Sequence, residues 1–509
     1  MIAQKGKGVK YPLPDRPNIL YNFVAKTKNR GWPTKMIVTG NEINFNQLEK
    51  EIFDYGCQIA REAMKQIIEA LDDQLAQKRD KKKYRDKGKR KTCLKTLMGE
   101  VEYSRRVYQY ESEAGIKKHI YLLDEALQAK QIGLFTGNFI QLIIEAASNK
   151  SYRKTAESIS KITGQTISHG GAWDIIQTVG KKIDTIEKQQ AEAVSKGHFS
   201  GQREKEILFE EADGVYLSIQ GKDRKKRKKR ELKVAISYEG WQKINKEYYE
   251  VAHKLVYAGF EPAVEFIKRK EGMLGTEYNL DEIETRILNG DGDSWIRKQS
   301  EMEGVHYQLD PFHKNRAIIR NIHDKEARKT VLTLAKENKY EEILIYLSAL
   351  EKDTPDKKHK KQLKNLYNYL KENQEGLLPY QARGLNLPAL EEGLEYRAMG
   401  TMEHNICDVI CQRMKHRKAS WSIKGGGHMA KILAFKASRR LKDILKIFTS
   451  TFVSPKLAKT IHGSLSAAQV PERVGKGYSY AAKGAIPFAR AARTNGRNVI
   501  LQLLAERPL

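Results

Sequence analysis

Cysteine is scarce in this chain, with only Cys57, Cys93, Cys407 and Cys411 among 509 residues. So few and so scattered, they exclude a disulfide framework and point to a reducing, cytoplasmic compartment. Long apolar runs are also missing. None approaches the ~20 residues needed to cross a bilayer. No apolar stretch follows the basic N-terminus either, so neither a secretory signal nor a membrane role is expected. No Gly-Lys-Ser/Thr closes a glycine-rich turn, which removes the usual phosphate loop and any expectation of ATP use. Acidic residues are in deficit, 63 against 92 Lys and Arg, giving a formal net charge of +29. An excess of that size favours a polyanionic partner, because each neutralised phosphate releases condensed counterions.

The length exceeds one ordinary core and implies several domains. Residues 1–40 read as a flexible basic extension. Residues 41–130 form a helix-and-hairpin region: Leu48, Ile52, Ile59, Met64, Ile67, Ile68 and Leu71 recur at helical spacing, and 91–110 has the pattern of a hairpin turning at Met98-Gly99. Residues 131–200 outline a helix-turn-helix DNA-binding domain. Ala156, Ile159 and Ile162 stripe one helix, Gly164 stops it, Ser168 caps the next, and Trp173, Ile176 and Val179 stripe that one. On pattern alone an ordinary helical hairpin fits equally well.

Strand signals fill 207–220, 232–238 and 248–257. A helix is expected at 262–272, a strand at 285–289, a short helix at 294–302, a strand at 305–309 and a helix from Lys314. This β-β-β-α-β-α-β-α order predicts an α/β fold, an RNase H-like mixed sheet, preceded by a mainly helical DNA-binding region. Its first part would span 201–316. Residues 317–394, charged and amphipathic, read as a helical insertion, 395–420 as the final helix of the core, and 421–509 as a basic C-terminal region with a flexible loop at Gly425-Gly426-Gly427.

Phosphodiester cleavage in such a core uses two divalent ions, which as hard cations need carboxylates converging from separate elements. Asp213 sits within an apolar strand and shares parity with Val215, Leu217 and Ile219. Asp291 follows a strand end, where ligand sites of open α/β sheets lie, although Gly-Asp-Gly-Asp is also ordinary turn chemistry. Glu403 opens the helix after the insertion. Asp213, Asp291 and Glu403 are therefore the candidate catalytic and metal-binding residues, for Mg²⁺ or Mn²⁺, with Asp310 a candidate for positioning His313. The run Lys222, Arg224, Lys225, Lys226, Arg227, Lys228, Lys229 and Arg230 should form a hairpin tip that contacts phosphate. His313, Arg316, Arg413 and Arg417 are further candidates for DNA contact. His404, Cys407 and Cys411 share a helical face, but without a second ligand pair they read as packing residues rather than a zinc site.

Several stretches carry a family resemblance: KTLMGEV at 95–101 with RRVY at 105–108, YLLDE at 121–125, SYRKTA at 151–156, EADG at 211–214, GDG at 290–292 with Trp295 and Ile296, LDPFH at 309–313, and GTME at 400–403. Spanning about 40–435, they make the chain resemble the ISLre-two family of bacterial insertion-sequence transposases and, more distantly, Mutator-type transposases. The resemblance implies a metal-dependent aspartate–aspartate–glutamate enzyme that cuts and joins DNA, with Asp213, Asp291 and Glu403 as its triad. The expected partners are the element's terminal inverted repeats and target DNA. A homodimer or larger assembly and a bacterial, nucleoid-associated location are expected too. The rival expectations are an RNase H-like nuclease or resolvase without strand transfer, and a non-catalytic DNA-binding repressor.

Overall fold

The computed structural model describes residues 45–127, 135–416 and 418–443. The expectations for residues 1–40, for Arg417 and for the tail beyond 443 lie outside them.

Helix α1 (Phe45–Lys78) runs without proline and buries Ile68, Leu71 and Ala76. They pack on an antiparallel sheet of β1 (Arg85–Thr96), β2 (Gly99–Glu111) and β3 (Lys117–Ile120). The hairpin turns before Gly99, whose φ of 117° is a conformation other residues rarely adopt. It starts earlier than the expected 91, so much of the basic stretch before it is exposed strand. After the short α2 (Leu122–Ala126) come α3 (Gly137–Asn149), α4 (Tyr152–Thr163) and α5 (His169–Ser195). Thr136, Ser151 and Ser168 cap their first turns, and Gly164 ends α4 in the left-handed conformation at φ 65°.

The α4–α5 joint therefore forms as its capping signals require, but not as a separate domain. Helix α5 is 27 residues long, and its Ile176, Val179 and Ile183 share one hydrophobic cluster with α3 and the main sheet. Its first turns bury Ala172, Ile175 and Ile176 while leaving Trp173 exposed, as is Ile162 of α4.

The main sheet comprises β4 (Ile207–Ile219), β5 (Lys229–Tyr238), β8 (Leu255–Gly259), β9 (Thr285–Gly290) and β10 (Val305–Leu309). Its order is β10-β9-β4-β5-β8, with β4, β9 and β10 mutually parallel and β5 antiparallel to both neighbours. The expected strand 248–257 is in fact two. β7 (Tyr249–Val251) pairs with β6 (Trp241–Lys243) in a small side sheet, and His253, at φ 49°, breaks the chain away before β8.

Side-chain parity divides the core. Ile207, Phe209, Val215 and Leu217 face one cluster. Leu208 and Ala212 face the other, with α6 (Ala263–Gly275), α7 (Ser294–Arg297) and α8 (Pro311–Asn321). The insertion follows as α9 (Lys325–Lys336), α10 (Tyr340–Asp353) and α11 (Lys357–Glu372). It extends the second cluster through Val331, Ile343, Leu347, Leu363, Leu366 and Leu370.

The chain then returns through β11 (Leu394–Glu395), which edges the side sheet, into α12 (Met402–Asn405), a π-helical turn over Ile406–Cys411, α13 (Gln412–Met414) and β12 (Ser420–Trp421), which pairs with the end of β4. Within the π turn Cys411 is buried and Cys407 exposed.

The region after 421 overturns an expectation. Gly425-Gly426-Gly427 is no flexible loop but the start of α14 (Ile423–Ala437), capped by Ser422 and buried against α5 and β8. A Cβ on Gly426 would lie 3.0 Å from that of Trp421 and 3.1 Å from the Phe260 ring. Glycine here permits close approach, not flexibility.

Candidate functional site

Strand β4 carries three acids with three different surroundings. Glu210 points into the second cluster, where Lys270 Nζ and Arg286 Nε each donate to it at 2.6 Å. Glu211 points the other way and is fully buried. Its carboxylate accepts from Tyr238 Oη (2.7 Å), Asn289 Nδ2 (3.1 Å), Thr401 Oγ1 (2.7 Å) and the backbone amides of Gly400, Thr401 and Met402 (3.1–3.2 Å). One side chain thus ties β4 to the N-terminus of α12. Asp213, two residues along the same face, is paired with no lysine or arginine among the described residues.

The geometry brings two of the three expected ligands, Asp213 and Glu403, together with His313. Asp213 Oδ2 lies 3.8 Å and Glu403 Oε1 3.6 Å from His313 Nε2. One ligand atom from each of Asp213, His313 and Glu403 falls within 4.8 Å of the others, and among the described residues this is the one cluster able to hold a metal ion. Asp291 directly follows β9, whose Gly290 pairs with Ala212 of β4, so it emerges beside Asp213. Its Oδ1 accepts from the Asp293 amide at 2.9 Å.

Burial pushes the Asp213 carboxyl up to about 8. Asp291, then Glu403 and Asp310, contribute to that rise, while the Gly214 amide at 2.6 Å opposes it. Burial likewise raises Asp291. Acids that repel one another across a partly buried pocket are poised for a cation. Carboxylates are the donors that Mg²⁺ and Mn²⁺ take, so the set fits the expected ions, with the His313 nitrogen a donor that Mg²⁺ accepts less readily.

His313, expected to touch DNA, lies in this carboxylate cluster and also lines the cleft beside it. Asp310 sets its position, as expected, by capping α8: its Oδ1 accepts from the amides of Phe312 (2.8 Å) and His313 (3.2 Å). Asn289 bridges the two acids that hold the helices, donating to Asp310 Oδ2 at 2.6 Å as well as to Glu211. Glu211 and Asn289 went unnoticed in the sequence. The available signal was the parity of Glu211 with Asp213 in an apolar strand.

Arg413 is a correction. Its guanidinium is packed against Tyr152 and Trp421 and donates to the Ala147 carbonyl at 2.6 Å, bracing α13 against α3 instead of facing a phosphate. Arg316 is exposed and lies over the Phe312 ring. The cations from Lys222 to Arg230 are exposed at the tip between β4 and β5, without ion pairs among the described residues. No described helix is long and apolar enough to cross a membrane.

The family model described as "Uncharacterised protein family (UPF0236)" matches residues 38–443. A UPF0236 protein of Caldanaerobacter subterraneus subsp. tengcongensis is 24% identical over 402 residues, covering 78% of each chain, and its name joins eleven locus designations. A UPF0236 protein in the vanSb 3′ region of Streptococcus gallolyticus is 24% identical over 351 residues, covering 68% of this chain and 74% of its own. The match over 38–443 spans most of the sequence, and the chain belongs to the uncharacterised family UPF0236.

Proposed function

We propose that this protein is an insertion-sequence transposase of the aspartate–aspartate–glutamate type, built on an RNase H-like core, that binds element ends, cleaves them and joins them to target DNA. The observation that carries the reading is the cluster of Asp213, His313 and Glu403 from β4, α8 and the helix after the insertion, with Asp291, just past β9, near enough to raise the Asp213 carboxyl. The sheet order β10-β9-β4-β5-β8, with β5 antiparallel, supports the RNase H-like reading. The exposed cations at the β4–β5 tip supply a surface for phosphate. One relative named for eleven loci fits a gene that multiplies by moving.

Asp213, Asp291 and Glu403 would hold Mg²⁺ or Mn²⁺. Bound there, such ions polarise the scissile phosphate and activate a water or a 3′-hydroxyl. The protein's part is to hold the carboxylates at fixed spacing, through Glu211 on α12 and Asp310 on α8. His313 Nε2 faces two of these carboxylates, Asp213 and Glu403. Strand transfer is the discriminating activity. Incubated with Mg²⁺, supercoiled target and an element end with a free 3′-hydroxyl, the full chain should yield joined products. Cleavage without joining would leave the nuclease alternative, and binding without either reaction the repressor alternative.

Metal binding should also depend on pH. At pH 7 the Asp213 carboxyl, raised to about 8, retains its proton in the metal-free protein and must release it to ligate. Mn²⁺ affinity, read by titration calorimetry, should rise up to about tenfold per pH unit between roughly pH 6 and 8, then level off. The raised value also destabilises the metal-free fold as pH climbs from the ordinary carboxylate range toward 8, because the folded state keeps a proton that the unfolded chain has lost. An affinity flat across that range would count against Asp213 as a ligand.

A further inference from the structure

Helix α8 starts at the carboxylate cluster and leads away from it. Phe312, Arg316, Ile319 and Arg320 lie on its outer face at spacings of four, three and one, all exposed, with the Phe312 and Ile319 side chains about half accessible (49% and 50%). The Arg316 guanidinium lies 5.6 Å from the centre of the Phe312 ring, and neither arginine makes an ion pair among the described residues. Alongside runs a cleft of about 370 Å³ between α8 and α11, bounded by Arg316, Arg320 and Asn321 on one side and Asn365, Leu366 and Tyr369 on the other, and lined also by Asp291 and His313. Tyr369 Oη donates to the Asp291 carbonyl at 2.8 Å, fixing α11 to the site.

We propose that this face and cleft form a subsite for unpaired DNA, receiving the nucleotides that flank the scissile phosphate. The proposal rests on the function proposed above and adds the state of the strand. A duplex buries its base faces in the stack and has none to lay on Phe312. An unpaired strand has both parts the surface matches, a flat base for the ring and phosphates for the two arginines. The amides of Asn321 and Asn365 add hydrogen-bonding groups that any base edge can meet. Asp291, which also lines the cleft, repels phosphate and so favours a base beside it.

The test uses the full-length protein without metal, so that no cleavage intervenes. Fluorescence anisotropy with a labelled single-stranded oligothymidylate is compared with a blunt duplex. Phe312→Ala should weaken oligothymidylate binding about tenfold, within the range of one lost base–aromatic stack, and leave duplex affinity unchanged. Phe312→Trp should restore binding, and the added indole emission should fall as oligothymidylate is titrated in. A Phe312→Ala effect equal on both probes, or absent from both, overturns the subsite while leaving the transposase reading intact. Wild-type protein that binds neither probe overturns both. Unchanged melting of the variants excludes misfolding as the cause.

Discussion

Asp213→Asn should abolish cleavage and joining while leaving DNA binding intact and making the metal-free protein more stable. The loss follows from the proposed donor set: an amide in place of the Asp213 carboxylate removes a charged ligand from the cluster it forms with His313 and Glu403, beside Asp291. Metal stabilisation of a phosphoryl transition state amounts to several kcal/mol, so the rate should fall on the order of a thousandfold or more. Binding persists because the cations from Lys222 to Arg230 are exposed beyond the end of β4 and take no part in the cluster. The gain in stability follows from the same electrostatics. Burial and the neighbouring Asp291 and Glu403 carboxylates oppose the Asp213 charge, and the amide removes that opposition, so the melting temperature in chelator should rise by about a few degrees. Addition of Mg²⁺ should raise the melting temperature of the wild type and not of the variant. Cleavage at wild-type rate by Asp213→Asn would remove the catalytic assignment altogether.

The strand pattern was legible because parity is strict. Alternating residues of β4 enter different clusters, and the placing of Asp213 among Val215, Leu217 and Ile219 fixed its face before any coordinates. The insertion was legible because α9, α10 and α11 are amphipathic and separately capped or broken. Packing between distant segments was not. The stripes on α5 gave a helix but not what covers it, and Ile175, Ile176 and Val179 close on the sheet cluster as readily as they would close a separate domain. A triple glycine is locally a loop signal, and only the Trp421 and Phe260 side chains against it make it helical and buried. Arg413 shows the same limit. A cation on a helix reads as solvent-facing until Tyr152 and Trp421 are found on its two sides. The side chain that aims Glu403 lies 192 residues before it, a separation across which no periodicity speaks.

That side chain, Glu211, gives the second large effect. Six donors converge on its two oxygens, three of them backbone amides at the start of α12, where the helix dipole also favours negative charge. Burial raises the Glu211 carboxyl above its ordinary range, and the donors around it pull the other way. Glutamine keeps the shape but replaces one acceptor oxygen with an NH₂, which would face donors it cannot satisfy. Leaving buried amides unpaired costs roughly 1–3 kcal/mol each, so Glu211→Gln should destabilise the protein by about 3 kcal/mol. Thr401→Val, which removes a single donor, should cost about 1 kcal/mol. Both variants should lose cleavage through misplacement of Glu403, yet with a lowered melting temperature, opposite in sign to Asp213→Asn. The pair of melting curves therefore separates a residue that holds the site together from one that the site holds under repulsion. If Glu211→Gln melted at or above the wild type, the carboxylate could not be the tie between β4 and α12, and the placement of Glu403 would need another cause.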